Sequence, residues 1–181
     1  TEITRGCPLD CGLCPEHKQH TCLALVEVTS HCNLNCPVCY ADSQPGFTLS
    51  IAQVKRMIER FLELEGNPEV IQFSGGEPTI HPDILPMLRI AKEKGIQMVM
   101  LNTNGIRIAQ DDSLLAGLAD VRPIIYLQFD GFSTKASELL RGKDLLSTKL
   151  KALDRLAQAK LDVVLVPTID KNLNHNEIGD I

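Results

Sequence analysis

From residue 23 onward, short apolar runs alternate with longer segments whose apolar residues recur at every third or fourth position. Few folds satisfy that alternation. Strands are expected over 23–29, 70–74, 97–103, 124–130 and 163–168, and helices over 50–65, 82–94, 111–118 and 147–160. In the first helix Ile51, Val54, Ile58, Phe61 and Leu62 share one face. Gly66, Gly95 and Gly117 read as lying at or near helix ends, where glycine can take the left-handed conformation that stops a helix. An unbroken run such as Val163-Val164-Leu165-Val166 suits a parallel strand buried on both faces under right-handed helical crossovers. The class is α/β, five strand-helix units around one curved parallel sheet.

In such folds ligands gather at the carboxyl ends of the strands. The least ordinary residues of this chain fall there: Cys32 after the first strand, Gly75, Gly76, Glu77 and Pro78 after the second, Asn102, Thr103, Asn104 and Gly105 after the third, and Asp130 and Gly131 after the fourth. His81 and His175 read as capping or surface residues. The chain opens on Thr1 and stops at Ile181, just where Asn174-His175-Asn176-Glu177 has the pattern of a cap for another helix. An excerpt of a longer protein is expected, because a lone arc would expose a strand edge.

All seven cysteines lie in the first 39 residues. Close Cys-x-x-Cys spacings confined to one end indicate local ligation, not a disulfide framework. Cys32, Cys36 and Cys39 form one set of three. A closed tetrahedral site needs four ligands, so the trio either recruits a partner such as His31, as in a zinc knuckle, or holds a cluster with one iron left open. Cys7, Cys11, Cys14 and Cys22 form a complete set of four, suited to an auxiliary cubane or to mononuclear iron or zinc. The net charge of −5 and the lack of a Lys/Arg-rich run exclude the electrostatic footprint of a nucleic-acid binder. Apolar stretches fall short of the roughly 20 residues of a membrane span, and no leader is recognised, so a cytoplasmic location is expected.

Cys-x3-Cys-x2-Cys after the first strand and Ser74-Gly75-Gly76-Glu77-Pro78-Thr79 after the second resemble the two motifs of the radical S-adenosylmethionine (SAM) superfamily. The resemblance covers nearly all of the chain beyond residue 22. It implies a partial (β/α) TIM-type barrel of parallel strands, cut short after five units, spanning 23–181. It further implies that Cys32, Cys36 and Cys39 hold a [4Fe-4S] cluster whose fourth iron chelates S-adenosyl-L-methionine. In that family the segment like Gly75-Gly76-Glu77-Pro78 receives the methionine amino group, and polar residues like Asn102, Thr103 and Asn104 contact the cofactor. Gln128-Phe129-Asp130 stands where Ser-Leu-Asp is frequent, which puts Gln128 near the ribose or carboxylate. The residue before the last cysteine is commonly aromatic in the family but is Val38 here, so adenine packing falls to aliphatic contact or to Tyr40.

The implied chemistry is reductive cleavage of S-adenosylmethionine to a 5'-deoxyadenosyl radical that abstracts hydrogen from substrate, with electrons from an external reductant such as ferredoxin or flavodoxin. The cofactor carries that chemistry, so no protein group is assigned as a catalytic acid or base. Residues 1–22 are expected to form a Cys-rich metal-binding extension. Its run from Arg5 to Cys22 resembles the branch that includes the tetraether lipid synthase and the methanopterin-methylating enzymes, which implies a lipid or small-molecule substrate and either C-C coupling or methylation. The alternative is a non-catalytic iron-sulfur electron carrier or a zinc-binding interaction module.

Overall fold

Five strands, β1 (Leu23–Thr29), β2 (Val70–Gly75), β3 (Met98–Thr103), β4 (Ile124–Gln128) and β5 (Val163–Val166), pair in chain order and all in parallel. The computed structural model describes residues 21–39, 41, 46–66 and 68–181. Cys7, Cys11, Cys14 and Tyr40 therefore lie outside the described residues, as does the extension up to residue 20. Each strand adds beside the one before it, the stepping of a singly wound barrel; a doubly wound sheet would reverse direction.

Among the described residues six helices supply the crossovers: α1 (Ile51–Glu65), α2 (Ile84–Glu93), α3 (Ile106–Gln110), α4 (Asp112–Val121), α5 (Thr134–Arg141) and α6 (Leu146–Gln158). A capping box starts α1: the Ser50 side chain accepts from Gln53 N–H while the Gln53 side chain accepts from Ser50 N–H. The core lies between one sheet face, with Val26, Val28, Ile71, Phe73, Val99, Leu101, Ile125 and Leu127, and helix residues that include Val54, Ile58, Leu88, Leu118 and Leu156. At the outer edge of β1, Leu49 N–H donates to Val28 and Ser30 N–H to Phe47, so the segment before α1 covers the strand end nearest the site.

Three expectations change. The strands are not buried on both faces: Leu23, Leu25, Met98 and Val164, on the face away from the helices, are each 39 to 49% exposed. Gly117 does not end a helix. It lies inside α4, where a Cβ would come within 2.3 Å of Leu85 Cδ1, so its lack of a side chain lets α4 approach α2. Asn174 makes no side-chain cap to the 3-10 turn (His175–Glu177) that it precedes. Buried there, Asn174 donates from Nδ2 to the carbonyls of Asp130 (2.7 Å) and Thr168 (2.9 Å), tying the segment after β5 to the end of β4.

Candidate active site at the strand ends

The loop after β1 and the turn after β2 are joined backbone to backbone. Gly76 N–H donates to the Thr29 carbonyl at 2.7 Å and Glu77 N–H to the His31 carbonyl at 2.8 Å. Gly75 adopts φ +134°, and a Cβ there would meet Thr29 O at 2.1 Å; at Gly76 it would meet His31 O at 2.3 Å. The glycines are thus required first by the close approach of the cysteine loop, whatever else binds against them.

Glu77 is buried and ties this turn to β3. Its Oε1 accepts from Thr79 N–H (3.0 Å), the Thr79 hydroxyl and the Thr103 hydroxyl (2.7 Å), and its Oε2 accepts from Asn104 N–H (2.7 Å). Asn104 Nδ2 donates to Asn33 Oδ1 at 2.7 Å, so the end of β3 also steadies the cysteine loop, and Asn102 donates to Ser74 Oγ at 3.2 Å. One cavity results. Its wall holds Cys32, Cys36, Val38 and Cys39 from the first loop, Gly75, Gly76 and Glu77 from the second, Asn102, Thr103 and Asn104 from the third, and Gln128 and Arg141 beyond.

Two residues expected at the cofactor are absent from that wall. Pro78 is buried at the start of a 3-10 turn (Pro78–Ile80), where its fixed φ suits the first position. Asp130 is occupied by protein donors: Arg141 Nε at 2.8 Å and NH2 at 2.6 Å, Thr168 N–H at 2.9 Å and Gln128 Nε2 at 2.6 Å. Cys22 is exposed just before β1, at the opposite end of that strand from Cys32, and its expected partners lie outside the described residues. His81 is buried, not at the surface: Nε2 donates to the Leu49 carbonyl at 2.8 Å, and Nδ1 accepts from Asp83 N–H at 3.0 Å. His175 is exposed.

Arg141 and Lys149 were not foreseen. Arg141 ends α5, whose signals were Ser133, which caps the helix by accepting from Ala136 N–H, and Gly142, which closes it at φ +82°. Burial works against the Arg141 charge, but the hydrogen bond and charge of Asp130, with Cys36 adding to both, more than offset it and hold the guanidinium above its ordinary value. Lys149 is buried on α6, in line with Ala152 and Leu156 at helical spacing. A lysine on the apolar face of a helix was the available signal.

The trio fits a cluster in its chemistry. Cys32, Cys36 and Cys39 are free thiols on one wall. The Cys32 thiol is pushed up, first by burial, against the Leu34 N–H that favours the thiolate, and further by Glu77, Cys36 and Cys39. Ionising the three thiols beside Glu77 would gather negative charge, which is what cationic iron offsets. Among the described residues no three His, Cys, Asp or Glu side chains are arranged around a single ion, which would draw its thiolates to within about 3.8 Å of one another.

The family model of the radical SAM superfamily matches residues 26–181. The chain belongs to the radical SAM superfamily. It is 42% identical over 189 residues to the 7,8-dihydro-6-hydroxymethylpterin dimethyltransferase of Methanocaldococcus jannaschii, an alignment covering 100% of this chain and 37% of that protein. It is 34% identical over 159 residues to the GTP 3',8-cyclase of Chlorobaculum tepidum, covering 84% and 46%. The chain thus spans less than half the length of these relatives. Among solved structures, Streptococcus suis SuiB bound to precursor peptide SuiA superposes with a TM-score of 0.73 at 19% identity, covering 88% of this chain and 36% of that one. Native anSMEcpe with bound AdoMet gives 0.69 at 21% identity, covering 87% and 48%. At those identities the likeness shows a shared fold. The family implies a [4Fe-4S] cluster and S-adenosylmethionine, and no helix among the described residues is long and apolar enough to cross a membrane.

Proposed function

We propose that this radical SAM chain holds a [4Fe-4S] cluster through Cys32, Cys36 and Cys39, binds S-adenosylmethionine beside it, and acts in methylation of a reduced pterin. The observation that carries the reading is the single cavity into which three strand ends bring the thiols, Gly75-Gly76-Glu77 and Asn102 to Asn104. When bound, the cluster and cofactor supply reductive sulfonium cleavage and hydrogen abstraction, with electrons from an external reductant such as ferredoxin or flavodoxin. The protein's own part is positioning. Glu77 offers its carboxylate at the cavity while anchoring two strand ends, and Asn102 and Gln128 present amides there. Val38 lines the wall as the aliphatic surface for an adenine ring.

The pterin follows from the match to the pterin dimethyltransferase over the whole chain, which favours methylation over lipid C-C coupling. The four remaining cysteines, Cys7, Cys11, Cys14 and Cys22, form a second centre in this proposal, a cubane in preference to mononuclear iron or zinc, on an extension ending at residue 22. Anaerobic reconstitution tests the reading: about eight irons per chain are expected, with 5'-deoxyadenosine formed under reduction and a dihydropterin gaining methyl groups. A colourless protein that binds zinc and leaves S-adenosylmethionine intact would replace it with an interaction module; clusters without cofactor cleavage would indicate an electron carrier.

A further inference from the structure

Lys149 is 4% exposed, and its ammonium has three donors for three oxygens: the carbonyl of Asn104, the carbonyl of Gln128 at 2.7 Å and Gln128 Oε1 at 3.1 Å. The two carbonyls belong to the ends of β3 and β4, so α6 clamps together the strand ends on either side of the cavity. The third contact is of a different kind, because a side-chain amide can turn over and exchange its oxygen for its nitrogen. Lysine can only donate and therefore faces Oε1. On the other side Asp130 Oδ2, held by Arg141, only accepts and therefore faces Nε2, at 2.6 Å. Both neighbours specify one orientation, and Nε2 keeps a second N–H on a residue of the cavity wall.

We propose that Lys149 is a positioning residue that fixes the Gln128 amide as a donor toward a carboxylate or ribose oxygen of bound S-adenosylmethionine. This rests on the cofactor reading above. An apolar residue at 149 would leave two buried carbonyls without donors and the amide without its orienting partner. The placement is costly: burial pulls Lys149 down to about 8, with Arg141 acting the same way, while Asp130, Glu77 and Cys36 hold it up. A charged group kept at that cost beside the cavity argues for a role at its wall, although the geometry alone defines what the role is.

The test is a double-mutant cycle on the full-length, cluster-reconstituted protein, titrated calorimetrically with S-adenosylmethionine without reductant. Lys149→Met and Gln128→Leu are each expected to weaken binding about tenfold or more, and the double variant to lie within about twofold of the weaker single. Affinity changes and structural damage separate here. Loss of packing alone would make the Lys149→Met effect as large in the Gln128→Leu background as in the parent, and that additivity overturns the proposal. So does an affinity within twofold of the parent for Lys149→Met. If Lys149→Met fails to fold by circular dichroism, Gln128→Leu and Gln128→Glu decide: both must lose affinity, and retention by either refutes the proposal. An unsubstituted protein that binds no cofactor would overturn the cofactor reading and this inference with it; binding without coupling overturns only the inference.

Discussion

Replacing Asp130 by alanine would strand the Arg141 guanidinium where that side chain is 9% exposed and its partner 7%. Arg141 would lose two charge-assisted bonds, at 2.8 and 2.6 Å, and keep the Thr168 hydroxyl at 2.7 Å and its contact with Cys36, while Thr168 N–H would lose its acceptor. Removing one member of a buried pair costs about 3 to 5 kcal/mol, mostly from the charge left behind. For a chain of this length that corresponds to a fall in Tm of about 6 to 20 °C. Arg141→Met is expected to cost a similar amount by leaving Asp130 unpaired. The double variant should lose less than the two singles together, by about 2 kcal/mol or more, because neither charge then remains. Urea denaturation of the parent, both singles and the double measures this directly, provided the m-values agree. Single losses below about 1 kcal/mol, or a double equal to the sum, would refute the argument that this pair joins β4, α5 and the end of β5.

Gly75→Ala should abolish folding or cost several kcal/mol, since its Cβ would strike the Thr29 carbonyl and its φ of +134° is one that L side chains rarely adopt; a Tm within about 2 °C of the parent would show that the loops can separate cheaply. Cys36→Ala should remove one cluster and all cofactor cleavage, whereas Cys14→Ala should leave the first cluster able to bind S-adenosylmethionine; iron analysis and calorimetry on both variants would expose equal losses if the two sites are not independent. Between about pH 8 and 10.5 the unfolded chain holds more protons at residue 149 than the folded one, so the Lys149 contribution to stability should rise with pH through that window, by on the order of 3 kcal/mol. Comparing the parent with Lys149→Met at both ends of the window isolates this from other titrations, and a flat difference would count against the buried ammonium among Asp130, Glu77, Arg141 and Cys36.

What could be read from the sequence, and what could not, divides along one physical line. The strand and long-helix pattern was legible because periodic burial writes itself into every second or every third and fourth residue, and the strand ends followed from it. Short α3 and α5 were not, since five and eight residues give too few repeats to stand out. What covers the second sheet face was not legible for a related reason: an apolar run states that a strand can be covered on both sides, not what covers it. Glu77 could be placed at the cavity by its motif, but its bonds to Thr103 and Asn104 join positions about 26 residues apart, and no local pattern encodes such a partner.

Arg141 and Lys149 show the division most sharply. Charge in a sequence is read by default as surface. These two charges are buried because Asp130 and three oxygens at the ends of β3 and β4 await them, and that arrangement exists only once the sheet has curved. The cysteine and glycine motifs could therefore announce the chemistry of the site before the fold was known. The cations in and behind its far wall, which hold Gln128 and Asp130 in place, become visible only when four separate strand ends are brought together.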